Sequence, residues 1–247
     1  MSGHSKWHNI QATKGKADAA RSKIFTKIGR EIAVAVKLGG PDPSTNSKLA
    51  TVITKAKQMN MPNDNIDRSI KKASGELSGV NYEACTYEGY GVGGSAVIVE
   101  CLTDNKNRTA GDVRHAFDKY NGSLGSTGCV SYLFSRKGVI IVPRNEGVDA
   151  DELMLIALDL GAKDVQEFDD EIEIYIDPND CQTVREGLEG AGYEVVASNV
   201  DLIASNYVDL DANQLVSFNK LVATLEELDD VQNVYHNVNL PEDEEEE

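Results

Sequence analysis

Cationic side chains at helical spacing mark the first forty residues as the stretch best suited to bind phosphate groups. At about 100° per residue, a helix would place five of them within roughly 40° of one line, opposite the apolar residues. Only Asp18 and Glu31 oppose these charges, whereas ordinary solvated faces mix signs because i,i+4 pairs of opposite charge stabilise them. We predict a polyanion-binding face, with the solvated side of a core-facing helix as the alternative. Its members are Lys16, Lys23, Lys27, Arg30 and Lys37, and Arg21 lies just off the line.

The segment ahead of this helix, residues 3–10, has no apolar periodicity and contains the only tryptophan of the chain. Such arms commonly become ordered on an anionic partner, with lysines on phosphates and an aromatic ring stacked on a base. We predict these roles for Lys6, Trp7 and Lys14. For Trp7 the alternative is nearly as strong, because an indole also packs well against helices.

A second basic spot lies in the loop of residues 104–109, between a predicted strand and a predicted helix. At a helix start, free backbone N–H groups and cations can meet a phosphate. The sequence therefore makes Asn105, Lys106 and Arg108 candidate nucleic-acid contacts. The alternative is local: the loop caps the helix, and Arg108 pairs with Asp104 or Asp112.

Groupings that would indicate catalysis or metal binding do not stand out. His4 and His8 have helical spacing but lack a third ligand, and the sequence GYGVGG at residues 89–94 precedes a predicted strand rather than the helix that a dinucleotide site needs. We interpret it as a hairpin turn. The cysteines are scattered without a CxxC pair, at Cys85, Cys101, Cys129 and Cys181. We expect no metal, no cofactor, no small-molecule substrate and no enzymatic activity.

Charge is divided unequally along the 247 residues, although the net charge is −17. Residues 1–75 hold 14 cations and 5 acids, and the remainder holds 10 cations and 36 acids. This asymmetry indicates one nucleic-acid-binding domain attached to acidic bodies. With no apolar run of about 18 residues and no apolar region behind the N-terminal charges, we expect a cytoplasmic protein without a membrane partner.

The apolar period is helical up to residue 75 and extended from Tyr82 onward. Three helices are predicted first, followed by strands at 82–88, 95–103 and 130–134 around a helix at 109–120. Next comes the βαββαβ order of a ferredoxin-like domain, whose last strand is predicted at 193–196. The predicted domains are a basic helical nucleic-acid-binding domain (1–78), a discontinuous α/β domain (79–135 plus 201–240), an inserted ferredoxin-like domain (136–200) and an acidic tail (241–247).

Several long motifs resemble the YebC family: GHSKW at 3–7, KGKADAARSKIFTK at 14–27, DNKNRT at 104–109 and VYHN at 234–237. The resemblance spans nearly the whole chain. It implies an α+β fold in which an N-terminal three-helix domain precedes two α/β domains of ferredoxin-like type, one inserted in the other. It also implies a regulator of gene expression, either of transcription through DNA or, as the mitochondrial relatives suggest, a ribosome-associated translation factor that binds ribosomal RNA or tRNA.

Overall fold

The computed structural model describes residues 17–75, 81–145 and 147–240. These residues form two compact units. The first comprises 17–131 and 210–236, and the second comprises 132–209 and 237–240, within the described ranges. The predicted tail at 241–247 and the predicted domain boundary at residue 78 lie outside the described residues.

The described helices and strands follow the chain in this order: α1 Ala17–Gly39, α2 Ser47–Gln58, α3 Asn63–Ser74, β1 Glu83–Tyr90, β2 Ala96–Thr103, α4 Lys106–Lys119, β3 Ser123–Leu124, β4 Phe134–Pro143, α5 Ala150–Asp159, β5 Asp164–Glu167, β6 Glu171–Ile176, α6 Cys181–Gly190, β7 Ala197–Ala204, α7 Ala212–Glu227 and β8 Val231–His236. Short 3-10 turns occur at Val92–Gly94 and Ser131–Leu133. The predicted fold class, α+β with N-terminal helices before two α/β domains, is confirmed.

The three N-terminal helices enclose a core of their own. Apolar residues of α1 at helical spacing, including Ile28 and Ile32, pack with Leu49 of α2 and Ile66 of α3. The connection from α1 to α2 is held by Asn46, which is 5% exposed. Its amide donates to the carbonyls of Ala35 and Gly40, both at 2.8 Å, and its oxygen accepts the Leu49 N–H at 3.1 Å.

The first sheet of the α/β part is antiparallel, in the order β3-β1-β2-β8, and is packed by α4 and α7. The GYGVGG segment ends β1 and makes the hairpin turn into β2, as predicted, and Gly93 and Gly94 adopt positive φ in the turn. The helix predicted at 109–120 begins three residues earlier, because the Asn105 side chain caps it by accepting the Arg108 N–H.

The inserted domain has the strand order β5-β6-β4-β7 with α5 and α6, which is the ferredoxin-like arrangement that the βαββαβ order predicts. Its core contains Ile140, Ile172, Ile174, Leu153 and Val184.

Two predicted strands at the ends of the insertion are wrong. Residues 131–133 form a 3-10 turn, and the strand there runs from Phe134 to Pro143. Residues 193–196 lead into the strand Ala197–Ala204 and are not themselves one. That strand pairs with β4 over its whole length, so residues 201–204, which were predicted to belong to the host domain, are part of the inserted sheet. Hydrogen bonding to β4, which is distant in sequence, sets the bounds of β7, and apolar content alone does not reveal these bounds.

Candidate nucleic-acid interface

The predicted contacts of the N-terminal arm, Lys6, Trp7, Lys14 and Lys16, lie outside the described residues and stay predictions. The remaining predicted residues are distributed over α1 and the loop before α4. Both belong to the same compact unit as β8 and the end of α7.

Arg30, at the centre of the predicted cationic line, is engaged inside its own unit. Its guanidinium donates to the carboxylate of Asp230 and, at 3.1 Å, to the carbonyl of Leu102. Its carbon Cζ lies 5.3 Å from the ring centroid of Tyr82. With its side chain only 13% exposed, Arg30 joins α1 to the α/β domain in this structure.

Asp230, just before β8, is the acceptor on which this contact depends. Its Oδ2 accepts from Arg108 at 2.8 Å, from the Thr109 hydroxyl at 2.7 Å and from the Thr103 hydroxyl at 3.1 Å. Burial by itself would raise the pKa of Asp230, but hydrogen bonds from Arg108, Thr109 and Arg30 outweigh it and hold the pKa at about 2. Asp230 is therefore ionised under physiological conditions.

Two further cations of α1 contact the acidic end of α7. The ammonium of Lys27 donates to the Glu226 carbonyl at 2.9 Å, and burial lowers the pKa of this lysine although the Glu226 carboxylate opposes the shift. Lys23 lies 3.7 Å from the carboxylate of Glu227. The line predicted to face a polyanion thus faces acids of the same chain, which are separated from it by about 200 residues of sequence.

The C-terminal end of the line differs from its centre. Lys37 donates to the side-chain oxygen of Asn81, and Arg21, which lies just off the line, is exposed near the start of α1. A role in nucleic-acid binding for any of these α1 residues stays a prediction.

The loop before α4 follows the local alternative. Arg108 pairs with Asp104 at 2.7 Å in addition to Asp230, and Lys106 pairs with Glu83 at 2.5 Å. The side chain of Asn105 caps the N-terminus of α4. Phosphate binding by this loop stays a prediction, since each of its cations already has a carboxylate partner in the structure.

A different set of cations is exposed and could bind a polyanion. On α2 and α3 five basic side chains are exposed and have no hydrogen bond or ion pair within the part of the chain that the structure describes. Three of them have i, i+3 and i+4 spacing on α3 and so share one face. Their local pattern is weaker than that of α1 and does not single them out in the sequence. They are Lys48, Lys57, Arg68, Lys71 and Lys72.

Two features are not found among the described residues. No three His, Cys, Asp or Glu side chains come together as ligands for a metal ion. No helix in the described ranges combines the length and apolarity that a membrane span requires.

Together these elements define a class of protein in which a basic three-helix domain precedes an α/β domain interrupted by a ferredoxin-like domain. Residues 5–76 match the profile described as TACO1/YebC protein N-terminal domain, and residues 82–238 match the one described as TACO1/YebC second and third domain. The chain belongs to the TACO1/YebC family, which confirms the resemblance seen in its motifs.

Relatives of high identity cover the chain from end to end. A probable transcriptional regulatory protein of Clostridium botulinum is 57% identical over 98% of both chains, and one of Ruminiclostridium cellulolyticum is 58% identical over 100% of both. The crystal structure of a conserved hypothetical protein from Aquifex aeolicus is similar with a TM-score of 0.80 at 45% identity, covering 93% of this chain and 95% of that one.

Proposed function

We propose that this protein is a non-enzymatic regulator of transcription that acts in the cytoplasm and binds DNA through its basic N-terminal domain. The names of its relatives support the regulatory role. The observation that carries the proposal is the set of five exposed cations on α2 and α3, which have no acidic partner among the described residues.

Unpaired cations are the ones that gain most from a phosphate backbone. A lysine that already contacts a carboxylate must give up that partner, whereas a solvated one only releases the counterions of the nucleic acid. The proposed interface is therefore the α2–α3 surface, which comprises Lys57, Arg68, Lys71 and Lys72. Lys48 is nine residues from Lys57 on α2, about 180° around the helix, and lies outside it. The acidic α/β domains would repel phosphates and so confine binding to this surface.

Replacing Lys71 and Lys72 together with glutamine is expected to weaken binding to duplex DNA about tenfold at physiological salt. The slope of log K against log salt should become shallower by up to about 0.9 for each phosphate that the variant no longer neutralises. A fluorescence anisotropy titration at several salt concentrations measures both quantities. The matched control is Arg114→Gln with Lys220→Gln, which removes two exposed cations from α4 and α7. Equal weakening in the two variants would show that net charge alone matters and would contradict the proposed interface.

The alternative function, which the family resemblance also implies, is that of a translation factor that binds ribosomal RNA or tRNA. Crosslinking the protein in cells and sequencing the recovered nucleic acid separates the two. Promoter DNA is expected to dominate if the proposal is right, and dominance of ribosomal RNA or tRNA would replace it with the alternative.

A further inference from the structure

A groove of 470 Å³ opens on the helical domain between α2, α3 and the turn after α1. Its walls are largely apolar and come from Pro41 and Pro43 of the turn, Ile53 of α2 and Ile70 of α3. These side chains give the groove an apolar part, called the slot below, that a planar apolar group can contact. The rest of the core of this domain is closed, with Ile32 and Leu49 fully buried.

Polar groups in the groove are placed as they would be for a ligand with hydrogen-bonding edges. Asn63 and Asp67 lie one turn apart on α3, and both line the groove. Neither side chain has a hydrogen-bond partner within the described residues. An amide and a carboxylate are the side chains that pair with the donor and acceptor edges of bases.

Cations flank the same opening. Lys57 of α2 and Lys71 of α3 both line the groove, and both belong to the α2–α3 surface. A ligand in the slot that carried negative charge could contact these two ammonium groups.

We propose that this groove captures an unpaired nucleobase of a nucleic-acid strand, with the flanking phosphates on Lys57 and Lys71. The inference rests on the proposed function and adds to it a preference for unpaired over paired bases. A paired base is stacked inside the duplex and cannot enter a slot, whereas a base in a melted, looped or single-stranded segment can. Charge complementarity selects the occupant, because the two lysines outweigh the single carboxylate of Asp67 and leave the groove positive, which suits a base with its phosphates better than a neutral peptide.

The test compares a DNA duplex with the same duplex carrying a short unpaired bubble, using the full chain. We expect the wild-type protein to bind the bubble about tenfold more tightly. The ratio of the two affinities is measured on one preparation, so any decrease in folded protein cancels. In Ile70→Ala, which removes a wall, and in Asn63→Leu, which crowds the slot, this ratio should fall towards one. Gln58→Leu, an exposed position of α2 outside the groove, should keep it.

Three outcomes would contradict the inference, and they differ in what they say about the proposed function. Equal binding of bubble and duplex by the wild type would remove base capture but leave DNA binding by the α2–α3 surface intact. A preference for the bubble that survives both groove variants would place the recognition of unpaired bases elsewhere on the protein. Absence of binding to either DNA would reject the proposed function itself. An RNA strand of the bubble sequence, added as a third arm, shows which sugar the site prefers.

Discussion

Asp230→Asn is expected to lower the free energy of unfolding of the unit that contains α1 and β8 by about 3 kcal/mol. The carboxylate is buried, with its side chain 7% exposed, and it neutralises Arg30, whose side chain is 13% exposed. Removing its charge leaves a buried guanidinium without a counter-ion, which costs more than the ion pair itself contributes. Chemical denaturation followed by circular dichroism measures the destabilisation, and amide hydrogen exchange in α1 locates it.

The dependence of this effect on pH has a definite sign. The pKa of Asp230 is about 2 in the folded protein, below the value of about 3.9 for an unfolded aspartate. Its contribution is therefore fully present above about pH 4 and is lost as the pH falls towards 2. The difference between wild type and Asp230→Asn should shrink over this range. Glu227→Gln, which removes an exposed partner of Lys23, is the control and should cost less than about 1 kcal/mol. A similar destabilisation in both variants would refute the role of burial.

Glu88→Ala is expected to destabilise the same unit by about 2 kcal/mol. The carboxylate of Glu88 is 5% exposed and accepts backbone N–H groups from Gly128, Val130 and Ser131 at 2.8, 3.0 and 2.9 Å. Burial by itself would raise the pKa of Glu88, but these bonds outweigh it and lower the pKa below its usual value. Alanine would leave the three N–H groups without their acceptor. The N–H of Val130 is buried, and leaving it unsatisfied costs about 1 to 3 kcal/mol, whereas Gly128 and Ser131 are exposed and can bond to water at a smaller cost.

The control for Glu88 lies on the same strand. Glu83→Ala removes an exposed carboxylate that pairs with Lys106, and it should change stability by less than about 1 kcal/mol. Hydrogen exchange should become faster at Gly128, Val130 and Ser131 in Glu88→Ala and stay unchanged in Glu83→Ala. Unchanged exchange in both would show that the loop is held by other interactions.

Because cations of α1 bind acidic residues of the same chain, substitutions there do not report on DNA binding alone. Arg30→Gln and Lys27→Gln disturb the interactions with Asp230 and Glu226, so weaker DNA binding in them would report on stability as well. Substitutions at Lys71 and Lys72 avoid this problem, because these side chains are exposed and have no hydrogen bond or ion pair with the α/β domain among the described residues.

Local patterns in the sequence were sufficient for most of the secondary structure. Helical spacing of Ile28 and Ile32, the glycines of the 89–94 turn and the βαββαβ order are set by neighbouring residues, and each predicted its element correctly. The predicted strand boundaries were wrong where pairing with a segment distant in sequence sets them. This is the case for β7, whose length is fixed by pairing with β4.

The same distinction applies to the candidate site. The sequence by itself determined where the cations are and that the first domain carries the positive charge. Only the tertiary structure decided which of them remain free. Arg30 meets Asp230 across 200 positions, while Lys71 and Lys72 meet no acid among the described residues. Helical periodicity predicts the face on which a charge lies, but the partner of that face comes from packing between segments distant in sequence, which no local pattern encodes.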